Sequence, residues 1–262
     1  MLYITVALSA EARGLIDYFK LTRTYTLPYT MFENEQIKLI VTGVGIDNAM
    51  MATSALLGLS PPSKTDLLVN LGICAAPKNF EIGEAFLAHK ICYKNEFYFP
   101  DILFEHSLQE SDILSVDEPA RKMLKLPADM ESYGVYKAAS RFFSTHQILF
   151  FKIVSDHFEP LHVNKGLAIE LIFKNLKNLD AVLHSAKYVI NKEPLFSQEE
   201  KKLITTISSY LTKAQSDSFY DACCYYKLHQ KKILPVKIPS GEKLSKKERS
   251  EYLESLIKTL TL

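Results

Sequence analysis

The chain has 262 residues, of which 47% are hydrophobic and 23% charged, and its net charge is +1. That balance is the one expected of a soluble globular protein with room for a large core, and nothing in the near-zero net charge argues for nucleic acid or an anionic membrane as partner. No apolar run approaches the roughly 20 residues that span a bilayer.

The opening Met-Leu-Tyr-Ile-Thr-Val-Ala-Leu lacks a positive segment and reads as a first strand, not a signal peptide. It ends in Ser9-Ala10-Glu11-Ala12-Arg13, where Leu15, Ile16 and Phe19 fall at helical spacing. Tyr29 to Glu33 and Gln36 to Val41 read as strands joined by a polar turn at Asn34 and Glu35. Thr42-Gly43-Val44-Gly45 then leads into a helix from about Asp47 to Leu57, closed by Pro61-Pro62.

Asp66 to Asn70 reads as a short buried strand, with Gly72 allowing a tight turn after it. Ile82 to Leu87 and Lys90 to Tyr93 read as strands of a small barrel or twisted sheet. Met130 to Phe142 is expected to be helical, Ile148 to Val154 a strand, and Asn164 to about Lys187 a long amphipathic helix. Alternation of strands and helices predicts an α/β fold with a largely parallel sheet.

The composition then changes. Pro194 interrupts, Ser197-Gln198-Glu199-Glu200 has the form of a capping box, and Leu203 to Tyr210, Ser218 to Leu228 and Lys246 to Leu260 carry helical periodicity. Leu234 to Gly241 reads as a loop. From Lys192 onward 13 basic residues accompany 9 acidic ones, the pattern of a solvated helical surface. The expected organisation is a domain over 1–192 and a helical extension over 193–262. Cys74, Cys92, Cys223 and Cys224 show no metal-ligand spacing, as in a reduced, cytoplasmic protein.

Two carboxylates stand out. Asp129-Met130-Glu131-Ser132 opens a helix, and Val154-Ser155-Asp156 ends a strand, so both acids are expected at the carboxyl edge of a sheet. One can grip a sugar hydroxyl while the other hands a proton to a leaving base. With Ala7-Leu8-Ser9-Ala10-Glu11, Thr42 to Ala49 and Asp66 to Gly72, these segments make five motifs over about residues 1 to 190. In that order they resemble the nucleoside phosphorylase/nucleosidase superfamily, and most of all the methylthioadenosine/S-adenosylhomocysteine nucleosidases and futalosine hydrolases.

The resemblance implies a twisted, partly barrel-like central sheet flanked by helices, and hydrolysis of the N-glycosidic bond of a 5′-modified purine nucleoside. It implies Asp156 as the acid that protonates purine N7, Ser155 orienting it, Glu131 on the ribose hydroxyls, and Glu11 positioning the attacking water. Met130 would pack on the sugar face, and Ile46, Gly72, Ile73 and Cys74 would complete the substrate site. No metal or organic cofactor is expected, because proton donation and charge stabilisation together can break such a bond. A homodimer is plausible by the same resemblance.

Other readings of the residues stay open. Glu11 also suits a helix start, Asp156 also suits a turn cap, and Met130 also suits plain core. Phosphate as nucleophile would need arginines and backbone N–H groups, and no arginine lies between Arg23 and Arg121. Water is therefore the expected nucleophile, with a phosphorylase and a non-catalytic binding relative as alternatives. Ala75-Ala76 stands where such proteins carry glycine, and no aromatic follows Ser115 to Pro119 to stack on a base. The purine pocket is thus expected to be open, altered or completed by another element, for which Phe219, Tyr220, Tyr225 and Tyr226 are candidates if they are not simply core.

Overall fold

The structure, a computed structural model, describes residues 1–26, 28–159, 163–190, 195–230, 232–239 and 244–261. Pro194 and the Ser240-Gly241 end of the expected loop lie outside the described residues. The chain forms two compact units, Met1–Asn191 and Lys192–Leu262.

In the first unit, β1 (Leu2–Val6) leads to α1 (Ser9–Phe19), and β2 (Thr22–Thr26), β3 (Tyr29–Glu33) and β4 (Ile37–Val41) follow as a meander. Asn34 makes the β3–β4 turn, its Oδ1 accepting the N–H groups of Gln36 and Ile37. Next come α2 (Ile46–Leu59), β5 (Leu67–Ala75), β6 (Ala85–Tyr93), β7 (Glu96–Tyr98), β8 (Gln109–Ser115) and β9 (Ala128–Asp129). The unit ends with α3 (Ser132–Ala139), β10 (Ile148–Asp156) and α4 (Lys165–Ile190).

The strands run β10-β6-β8-β9-β5-β1-β4-β3-β2, and β10 also pairs back onto β5. Strands β5, β10, β6, β8 and β9 therefore close a ring, and β1 to β4 extend from it as an open sheet. This is the expected partly barrel-like sheet, but its pairing is mixed: β1 with β4 and β5, β5 with β10, and β8 with β6 and β9 are parallel, whereas β6 meets β10 antiparallel and β2–β3–β4 is antiparallel throughout. The expectation of a largely parallel sheet fails because hairpin connections and ring closure bring neighbours in head to tail.

Helices α1 and α4 cover one face, packing Leu15, Ile172, Leu176 and Leu179 on Ile4, Val6, Val69 and Phe151. Helices α2 and α3 cover the other, with Ala49, Ala52, Leu56 and Val135 on Tyr3, Ile40, Leu68 and Phe150. Strand β10 is buried at every position, which is why most of it reads as one apolar run.

Two further expectations are corrected. The two strands read at Ile82 to Leu87 and Lys90 to Tyr93 are one strand with a register shift between Ala88 and Lys90. The turn read at Gly72 is absent, because β5 runs straight through it to Ala75.

The second unit holds α5 (Gln198–Ser208), α6 (Lys213–Gln230) and α7 (Lys246–Thr261). Ser197 and Glu200 form the expected capping box, and the Glu200 carboxylate also pairs with Lys227 at 2.6 Å. Phe196, Ile207, Phe219, Cys223 and Leu256 make this unit's own core. Among the described residues no helix is long and apolar enough to cross a membrane.

Candidate active site

The carboxyl ends of β1, β5 and β10 open into one cavity of about 280 Å³, near the lower end of the range usual for small-molecule sites (roughly 300 Å³ upward). Glu11, Glu131 and Asp156 all line it, as do Met130, Ser155, Ile73 and Cys74. Three acids far apart in sequence thus meet around one space. Two of the sequence-predicted residues do not line it. Ile46 is buried in the core at the start of α2, and Gly72 lies behind Glu11.

Each acid is held by backbone donors. Glu11 sits in the first turn of α1 and accepts Leu8 N–H at 2.8 Å on Oε2 and Ile73 N–H at 2.9 Å on Oε1. The close approach of Glu11 to β5 explains Gly72: a Cβ there would stand 3.1 Å from Glu11 Oε1. We predict that Gly72→Ala displaces the carboxylate and, under the function proposed below, lowers turnover by about 10-fold. Paired kinetics and thermal melts check this, and full turnover in the variant would show that the placement of Glu11 is not critical.

Glu131 occupies the N-cap position of α3 without capping it, and its Oε1 instead accepts Gly45 N–H at 2.9 Å, at the N-terminus of α2. Gly45 has φ 104°, a left-handed conformation that a side chain would resist, and it is this turn that presents the N–H. Burial and the neighbouring Asp129 charge push the Glu131 pKa up to about 7, against the pull of Lys152 and Gly45. Glu11 is raised too, first by burial, with the Ile73 and Leu8 N–H groups and Lys152 acting the other way.

Asp156 ends β10 just past a bulge that leaves Ser155 without a partner on β5. Its Oδ1 accepts Glu159 N–H at 2.7 Å, so it does cap a turn, and the chain folds back for this through Phe158 at φ 66°. Its Oδ2 lies 2.7 Å from Ser155 Oγ, which is also 3.1 Å from the Cys74 carbonyl. Ser155 has one proton to give. If it donates to the Cys74 carbonyl, its oxygen can accept from a protonated Asp156; if Asp156 is ionised, the hydroxyl turns to the carboxylate. The pair holds either state with no more than the turn of one hydroxyl, which suits a proton donor. His157 is tied away, its Nδ1 2.9 Å from the Ala76 carbonyl. Burial pushes the Cys74 thiol up, so it is a neutral wall and not a nucleophile.

Asp129 also lines the cavity, and the rest of the lining is small and aliphatic: Ala7, Leu8, Val44, Ala75, Val116, Pro119, Ala120, Ala128 and Val163. Val116, Pro119 and Ala120, on the segment after β8, line the cavity, and none of them can stack on a base as an aromatic ring would. Phe219 is buried in the core of the second unit, as a packing residue would be. No lysine, arginine or aromatic side chain lines the cavity among the described residues.

Sequence reasoning missed Lys152. Its Nζ is 2.7 Å from Asp129 Oδ2 and 2.6 Å from Asn70 Oδ1, and it is 1% exposed. Asp129 also accepts from the Ser115 and Ser132 hydroxyls and Ser132 N–H, while Asn70 Nδ2 donates to Thr5. The available signal was a lysine inside the otherwise apolar run Ile148 to Val154.

No protein-family model and no curated protein sequence matches the chain. Solved structures do. A 5′-methylthioadenosine/S-adenosylhomocysteine nucleosidase from S. pneumoniae is 15% identical over 72% of this chain and 99% of its own, with a TM-score of 0.57. The 5′-methylthioadenosine nucleosidase of Arabidopsis thaliana is 16% identical, with a TM-score of 0.56 over 74% of this chain and 96% of that one. An MTAN from Chlamydia trachomatis is 19% identical, with a TM-score of 0.55 over 70% and 98%. The chain has the nucleoside phosphorylase/nucleosidase fold. In that fold the five motifs read from the sequence all fall in the first unit, and four of them place residues on the cavity wall.

Proposed function

We propose that the chain is a hydrolase that cleaves the N-glycosidic bond of a purine nucleoside, 5′-modified as in methylthioadenosine or S-adenosylhomocysteine, with water as the nucleophile. The observation that carries this reading is the convergence of Glu11, Glu131 and Asp156 on one cavity. In the first step the C–N bond lengthens as Asp156 passes its proton to the base, so the leaving group departs neutral. Positive charge grows on the ribose, and Glu131 offsets it while accepting hydrogen bonds from the sugar hydroxyls. A water oriented by Glu11 then forms the C–O bond and passes a proton to that carboxylate, and the cycle closes when solvent takes the proton from Glu11 and returns one to Asp156.

The nucleosidases that share the fold support the substrate class by their names. The lining supports water over phosphate, because among the described residues no cation lines the cavity to cradle an anion. Arg13, which follows the first strand, is exposed and pairs with Asp17 at 3.2 Å.

The test is incubation with methylthioadenosine, S-adenosylhomocysteine, futalosine, adenosine and inosine, with and without phosphate, while free base is followed. We expect base release that ignores phosphate. Release that requires phosphate selects a phosphorylase. Adenine binding by calorimetry with no release from any nucleoside selects a non-catalytic relative, a reading favoured by the missing aromatic wall.

A further inference from the structure

Behind the cavity, one buried cation sits among acids. Lys152 is the only charged residue of β10 before Asp156, and its ammonium is locked between Asp129 and Asn70 at 2.7 and 2.6 Å. Asp129 lines the cavity two residues before Glu131. Across the sheet Lys152 pairs in register with Gly72, the residue against which the Glu11 carboxylate rests. One ammonium therefore lies next to Asp129 and within electrostatic reach of both Glu11 and Glu131.

A buried ion pair is a poor source of stability, and a methionine with an asparagine would fill the same space without two desolvated charges. Its retention under a cluster of carboxylates calls for another account. Glu11, Asp129, Glu131 and Asp156 all line a cavity walled by aliphatic side chains. Four buried negative charges there would repel one another strongly, and protons would be taken up to relieve it.

We propose that Lys152 is a positioning residue whose ammonium, acting through Asp129, fixes how many of the cavity's carboxylates carry charge. It offsets the charge of Asp129 and so leaves Glu131 free to ionise for the sugar. The groups facing Glu131 are Asp129 from β9, Lys152 from β10, Glu11 from α1 and the Gly45 N–H at the start of α2. Cys74 on β5 and Asp156 complete the set around Lys152 and the cavity. This proposal rests on the reading of Glu131 as the sugar-facing carboxylate, and its test does not depend on turnover.

The test follows the Glu131 side-chain carboxyl by carbon-13 NMR against pH in the full chain, with the signal assigned by its loss in Glu131→Gln. Removing the cation in Lys152→Met is expected to raise the Glu131 midpoint by about one pH unit or more, and removing the anion in Asp129→Asn to lower it by about as much. The double variant should return to within about half a unit of the starting protein, and Lys152→Arg should restore it. A purely structural pair would not give opposite shifts that cancel. Should Lys152→Met fail to fold, Asp129→Asn and the double variant still carry the comparison. Midpoints that stay put in Asp129→Asn, or a double variant displaced as far as a single one, overturn the proposal. If the midpoints move as stated but no nucleoside is cleaved, the charge assignment stands and the nucleosidase reading falls.

Discussion

Asp156→Asn is expected to lower nucleoside cleavage by about 10² to 10⁴-fold, the range over which a lost general acid is felt. The fold should tolerate the change. Asparagine keeps an oxygen for Glu159 N–H, and its amide can donate to Ser155 Oγ while that hydroxyl donates to the Cys74 carbonyl. Every polar contact of Asp156 therefore has a replacement, and only the transferable proton is lost. Single-turnover release of base, read beside a thermal melt, checks both halves. Undiminished release by a purified, folded variant would falsify the assignment of Asp156 as the acid.

Glu131→Gln is expected to abolish cleavage and at the same time to stabilise the protein. The Glu131 carboxyl has its pKa raised from 4.5 to about 7, chiefly by burial and then by Asp129. The folded state therefore holds the proton more tightly than the unfolded chain does. The sign follows: stability from this group is full below about pH 4.5 and is lost as pH rises through about 7. Glutamine has no such proton to lose and keeps an oxygen for the Gly45 N–H. The variant should match the parent near pH 4 and exceed it by about 1 to 3 kcal/mol above pH 7. Denaturant titrations at the two pH values decide it. A variant equal to or less stable than the parent at pH 8 would mean that the carboxylate is not strained in the folded protein. The same ionisation should give cleavage an acid limb near neutrality, because the sugar contact needs the carboxylate.

The two variants together express a trade. On the proposed reading, a site that stabilises a developing cation collects carboxylates in a low-dielectric cavity, and folding bears the repulsion. The proposed charge-setting role of Lys152 would account for a lysine inside a strand otherwise suited to an apolar core.

Much of this was legible in the chain itself. Motif order and helix-strand alternation gave the fold class, and the acids at residues 11, 131 and 156 were marked by their places at helix starts and a strand end. The capping box at Ser197 and the Asn34 turn were readable because they depend on contacts three residues apart or fewer. Gly72 was misread as a turn because glycine serves turns and close approaches equally, and only the neighbour 61 positions earlier distinguishes them. The missing aromatic was correctly noted, but its substitutes Val116, Pro119 and Ala120 have no signature as a wall until a loop folds over a cavity.

Local pattern thus determined the elements and their order, since periodicity, caps and turn residues act over a few neighbours, and the order of the five motifs singled out the acids. Tertiary structure decided what those acids can do. The burial that raises the Glu131 pKa, the bond of Ser155 to the Cys74 carbonyl, the ring closure of β10 on β5 and the pairing of Lys152 with Asp129 all depend on residues distant in sequence. Desolvation and Coulomb interaction depend on distance in space and on what surrounds a charge, and the linear chain encodes those only through the fold.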